Sequence, residues 1–151
     1  MNEEQRKKYE QLKKQNKTVE NERRRDKNIL LQECLSALGK QAKVIPSEKH
    51  AEVIKKINIA TSSFKENGSL TCSGEFTFLN SINEIATDWL GERVLIVWDE
   101  ATLPIVNSDL FLIKQNIEDV KAVAFDTWLV AEQSNRLIEI NHEGVIRQYM
   151  V

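Results

Sequence analysis

Apolar residues are sparse at the start of the chain, then gather into helical stripes, one continuous run and a set of alternating segments. Residues 2–28 contain only Tyr9, Leu12 and Val19 as sizeable apolar side chains among Glu, Lys, Gln and Arg. High helix propensity without an apolar face predicts a solvated helix or a partly frayed arm. From Lys27 the spacing tightens, and Leu31, Cys34, Leu35, Leu38 and Ala42 fall three and four apart on one buried helical face. Gly39 frays the end of this helix, and Pro46 closes the region because proline disfavours helix at the residue before it. A second stripe, Val53, Ile54, Ile57, Ala60 and Phe64, begins near Ser47 and is stopped by Asn67-Gly68. Together the two stripes predict a helical hairpin over residues 29–68.

Shorter periods follow. The segment SLTCSGEFTFL, residues 69–79, suggests a short hairpin or one strand with Phe76 and Phe78 on the same face. In SINEIATDWLG, Ser81 and Glu84 form a capping box, Ile82, Ile85, Ala86, Trp89 and Leu90 make a buried face, and Gly91 terminates a short helix. RVLIVWDE is a continuous apolar run followed by acids, the pattern of a central strand covered on both faces, with Trp98 in or near the core. Asn107-Ser108-Asp109 can cap a helix through Leu110, Leu112 and Ile113, the reading favoured over a short strand LFLI, and Ile117–Val120 is a connection or a second short turn. VKAVAFDTWLVAEQ, SNRLIEIN and VIRQYMV read as three strands joined by tight turns at Ser134-Asn135 and Glu143-Gly144. The predicted fold is α+β, N-terminal helices followed by a mixed, mostly antiparallel sheet that ends in a three-stranded meander. Residues 1–28 are a basic solvated helix or arm, and 29–151 a single domain whose sheet half starts at 69.

Length supports one core and not two, since small domains bury too little surface to stand alone. The net charge of −2 conceals a split. Residues 1–28 carry ten basic and six acidic side chains, residues 29–74 six and four, and residues 75–151 five and thirteen. So acidic a C-terminal half repels nucleic acid and speeds encounter with basic proteins. Arg23, Arg24 and Arg25 resemble a phosphate patch, but the interleaved Glu20, Glu22 and Asp26 favour an ordinary solvated helix. The first residues lack an apolar leader and no apolar run reaches membrane-spanning length, which predicts a cytosolic protein. Cys34 and Cys72 stand 38 residues apart without a CxxC partner, a pattern of reduced thiols with Cys34 in a helix core.

Reactive signatures are scarce. The chain has no GxSxG, no phosphate-cradling glycine loop and only two histidines, His50 and His142. The best enzymatic grouping is Asp99, Glu100, Asp126, His142 and Glu143, paired carboxylates for a divalent metal with a histidine as proton shuttle. Against it, Asp99 and Glu100 follow a strand and His142 and Glu143 occupy a turn, where polar residues belong for reasons of solvation. No cofactor or metal is therefore expected. Asp126 differs, because it is read inside an apolar strand, on the face that carries Trp128 and Val130, with Phe125, Thr127 and Leu129 on the other. There it serves as an edge guard, a structural acceptor or part of a binding patch.

With VLIVWDEATLPIV, DVKAVAFDTWLV and LIEINHEGVIRQYMV, the stretch 93–151 resembles small bacterial immunity proteins of contact-dependent growth inhibition and related polymorphic toxin systems. The resemblance implies a non-enzymatic protein that binds the toxin domain of a delivered effector, often a nuclease, and covers its active site or substrate groove. Acidity without a reactive constellation points the same way. The residues expected to meet a basic toxin are Asp99, Glu100, Asp126, Glu139 and Glu143, with Trp128 as an aromatic anchor. Two alternatives stand beside this reading: an interaction module that uses the N-terminal helix, and a metal-dependent hydrolase.

Overall fold

A computed structural model describes residues 2–61, 63–66, 69–72, 76–85, 92–134 and 136–150. The first helix, α1, runs without a break over Glu3–Leu38. The solvated arm and the buried stripe are thus one 36-residue helix. Neither glycine nor proline interrupts it, and Glu3, Glu4 and Glu10 each stand four residues before a lysine. Asn2 caps it reciprocally: its side chain accepts from the Gln5 amide at 2.8 Å, and the Gln5 side chain accepts from the Asn2 amide at 3.3 Å. Gly39, at φ 76°, closes it by donating to the Leu35 carbonyl. Leu31, Cys34 and Leu38 are buried, whereas Tyr9, Leu12 and Val19 are exposed.

After β1 (Lys43–Val44) and a 3-10 turn at Ser47–Lys49, α2 spans His50–Thr61. It stops short of Phe64, because residues 63–66 are already the strand β2 (Ser63–Glu66), paired antiparallel with β3 (Ser69–Cys72). The Thr61 hydroxyl donates back to the Ile57 carbonyl at 2.7 Å, a local hydrogen bond of the kind that competes with helix. The expected stop at Asn67-Gly68 lies outside the described residues. Of the predicted stripe, Val53, Ile57 and Ala60 are buried and Ile54 is exposed.

Next come β4 (Phe76–Leu79) and, in place of the start of the expected helix, a 3-10 turn at Ile82–Glu84 that ends in extended backbone at Ile85. The capping contacts are shifted from the box: Ser81 accepts from the Asn83 amide, and Glu84 from the Asn80 amide. Ala86, Trp89, Leu90 and Gly91 lie outside the described residues. β5 (Arg93–Trp98), β6 (Val106–Asp109), α3 (Leu110–Gln115), α4 (Ile117–Ala122), β7 (Thr127–Ala131), β8 (Arg136–Ile140) and β9 (Ile146–Met150) complete the chain. Asp109 caps α3 by accepting from the Phe111 amide at 2.7 Å. The predicted α+β fold forms, with the meander β7-β8-β9 inside a sheet of order β1-β6-β5-β7-β8-β9-β4. Every pairing in that sheet is antiparallel.

The two helical stripes separate. Leu31, Cys34 and Leu38 join α3 and α4 over Val94, Ile96, Trp98, Leu129 and Ile138. Val53, Ile57 and Ala60 instead cover Leu95, Val97, Val130, Leu137 and Tyr149. Side chains alternate across a strand, so these clusters lie on opposite faces, and the sheet stands between helices that were expected to form a hairpin. All of Val94–Trp98 is buried, as expected for a strand covered twice, and the Trp98 indole donates to the Val120 carbonyl at 2.9 Å. Cys34 is a free thiol, pushed up to about 11 by burial and then by the charge of Asp119.

Acids at one end of the sheet serve the fold. Glu92 accepts from the Gln133 and Ser134 amides and from the Ser134 hydroxyl. Burial works against its charge, but those hydrogen bonds outweigh it and hold the carboxyl below its ordinary value. Beside it, Arg93 donates to Asn107 and to the Gln41 carbonyl, and Asn107 donates to Glu132. The division between core and solvated helix has a direct consequence. Ile96→Ala is expected to cost about 2–5 kcal/mol in urea unfolding, and Leu12→Ala to stay within about 0.5 kcal/mol. Comparable losses for both would contradict the burial described.

Candidate functional site

At the other end of the sheet, the exit of β5, the entry to β7 and the β8–β9 turn lie side by side. The Asp99 amide donates to the Asp126 carbonyl at 3.2 Å. The Asp126 carboxylate accepts from the His142 amide at 2.9 Å and lies 3.2 Å from His142 Nδ1. His142 Nε2 is 4.0 Å from the Glu143 carboxylate. Asp99, Asp126, His142 and Glu143 therefore form a row along one rim. Asp126 is not within an apolar strand, as the alternation suggested, but one residue ahead of β7, where its carboxylate ties down the turn. Asn141 shapes that turn by accepting from the Glu143 and Val145 amides, and Gly144 takes φ 85°. The result sends His142 and Glu143 outward.

Phe125 joins the rim, 75% exposed and edge-on to the His142 ring at 6.0 Å. Sequence reasoning missed it, because it was assigned to the opposite face of a strand that starts only at Thr127.

Around the corner, α2 and the 99–105 loop enclose an open groove of about 570 Å³. Ile54, Asn58, Leu103 and Trp128 line it, together with Asp99 and Glu100. Trp128 and Val130 share the α2 face as alternation predicted, and the Trp128 ring is 6.5 Å from that of Tyr149. His50 also lines this groove, half-buried, its Nε2 3.3 Å from the Ile45 carbonyl.

Glu139 has another setting. It lies directly across from Trp128 on β8, but its side chain is only 14% exposed. It accepts from the Tyr149 hydroxyl at 3.1 Å and pairs with Arg147 at 3.5 Å. Burial, and then the charge of Glu139, raises the Tyr149 phenol above its ordinary value. The Arg147 guanidinium in turn stands 5.3 Å from the Phe76 ring centre and 5.8 Å from that of Phe78. Both rings are exposed. Of the six expected residues, Asp99, Glu100 and Trp128 meet at the groove, Asp126 and Glu143 continue the rim, and Glu139 is largely covered on the strand next to Trp128.

A family model described as CdiI immunity protein EcoliA0-like matches residues 28–149. The chain belongs to this family. It is an immunity protein that neutralises a toxin of contact-dependent growth inhibition. The match extends well upstream of the stretch that carried the resemblance and takes in the buried end of α1 and all of α2. A comparison with curated proteins found none that matches. No helix among the described residues of this immunity protein is long and apolar enough to cross a membrane.

Family membership favours binding over catalysis for the protein. The rim does bring Asp126, His142 and Glu143 together, as the hydrolase alternative requires. Among the described residues, however, no three His, Cys, Asp or Glu side chains are placed to hold a metal ion. What the Asp126–His142 contact does locally is measurable. Asp126→Ala should speed hydrogen exchange at the His142 amide and cost about 1 kcal/mol of stability, while Asp126→Asn, which keeps an acceptor oxygen, preserves most of the protection. Unchanged exchange in Asp126→Ala would show that the carboxylate does not hold the turn.

Proposed function

We propose that this immunity protein meets its toxin with the acidic rim and the adjoining groove, and that the toxin is a basic nuclease whose active site or substrate groove is thereby covered. The observation that carries this reading is the shared rim of Asp99, Asp126 and Glu143 beside Glu100 and Trp128. Carboxylates gathered on one edge stand in for the phosphates of a nucleic acid and draw in a cationic cleft, while an indole beside them supplies apolar contact area. Glu139 contributes indirectly, by fixing Arg147. The binding domain is residues 29–151 and residues 1–28 are a solvated basic arm. The protein acts in the cytoplasm, without a cofactor, without catalysis and without touching nucleic acid itself.

Mixing the purified protein with the toxin domain encoded by the adjacent gene tests this directly. A complex at micromolar concentration, suppression of the toxin's nuclease activity and survival of toxin-expressing cells are the expected results. The absence of both complex and protection rejects the reading. The triple variant Asp99→Asn, Asp126→Asn, Glu143→Gln should associate about tenfold more slowly at low salt, with the difference from wild type shrinking as salt rises. Equal association rates at low salt would remove the rim from the encounter.

A further inference from the structure

The groove between α2 and the 99–105 loop combines chemistries that the rim alone lacks. Apolar side chains make up most of its lining, among them Ile54, exposed on α2, and the half-buried Leu103 and Trp128, together with the polar His50 and Asn58. Asp99, which is exposed, and Glu100, which is half-buried, line the same groove. A volume of about 570 Å³ is that of a site for a ligand of several rotatable groups rather than one solvent molecule. On α2, Val53 and Ala60 are buried against the sheet, Ile57 belongs both to that core and to the groove, and Ile54 and Asn58 line the groove beside it.

A largely apolar groove that also holds two acids is complementary to one kind of side chain in particular. Lysine and arginine have a hydrocarbon stem that packs on apolar surface and a cationic head that seeks carboxylate. An indole on the path adds attraction for the cation through its π face. Trp128 is so placed, in the same groove as Asp99. We infer that the α2 groove receives a lysine- or arginine-bearing loop of the toxin domain, with the stem along Ile54 and Trp128 and the charged head between Asp99 and Glu100. This rests on the reading that the acidic rim meets a basic toxin, and it adds a second element: the rim governs approach, whereas the groove governs how long the complex lasts.

The test uses the full chain and the adjacent-gene toxin domain, with association and dissociation rates measured separately. Ile54→Arg places a like charge in the trough at an exposed helical position and should speed dissociation tenfold or more with little change in association. Ile59→Arg, exposed on the same helix but outside the groove, should leave both rates within twofold. Far-ultraviolet circular dichroism and melting temperature, equal across the three proteins, establish that α2 is intact. On the toxin, exchanging single surface lysines and arginines for alanine should find one whose loss is no longer additive with Ile54→Arg. If Ile54→Arg dissociates like Ile59→Arg while rim variants still slow association, the groove inference fails and the rim reading stands. If wild type does not bind at all, both fail. A dimer of the immunity protein alone that Ile54→Arg dissolves would assign the groove to a second copy and overturn the inference.

Discussion

A strand that is apolar at five consecutive positions cannot leave either face to water, and β5 is such a strand. Val94, Ile96 and Trp98 point one way and Leu95 and Val97 the other, all buried. Each fully buried side chain of this kind is worth about 1.5–3 kcal/mol relative to exposure, so covering only one face would forfeit a large share of the stability of a domain this size. The chain meets the constraint by dividing its helices. α1, α3 and α4 cover one side and α2 the other. As a result β5 emerges between two layers, and the acids that directly follow it, Asp99 and Glu100, come to line the groove together with residues of α2. The groove and its acids follow from where β5 has to be buried.

Charge is sorted by the same architecture. Glu92, Glu132 and Asp109 lie toward the end of the sheet where β5 begins, engaged with backbone amides or with Asn107. Asp99, Asp126 and Glu143 lie at the end where it leaves. A count of thirteen acids in the C-terminal block says nothing of this division between acids bound to the fold and acids gathered along the other rim. Glu139, inside the sheet face, belongs to neither group. Its proximity to Arg147 and Tyr149 makes it a neutralised element of the aromatic patch formed with Phe76 and Phe78.

Legibility followed the range of the interactions involved. Period-two and continuous apolar patterns revealed β5 and the meander, and Asp109 was readable as a cap, because all three are local. The partition of the two amphipathic helices was not readable, since a stripe of Leu and Cys on α1 looks no different whichever face of the sheet it covers. The end of α2 was lost because Phe64 continued the stripe while Thr61 had already turned its hydroxyl back on the helix. Asp126 was misplaced by one residue of strand boundary, and Phe125 went with it. Rows such as Trp128, Glu139, Arg147 and Phe78 depend on the register of four strands, which no single segment encodes.

The claim that the rim and groove form the toxin-binding face is tested most directly by hydrogen exchange of the immunity protein, free and saturated with its toxin domain. Slowed exchange concentrated in residues 99–105, 126–128 and 141–145, with residues 3–28 unchanged, is the predicted result. Slowed exchange confined to α1, with the rim exchanging as in the free protein, would contradict it.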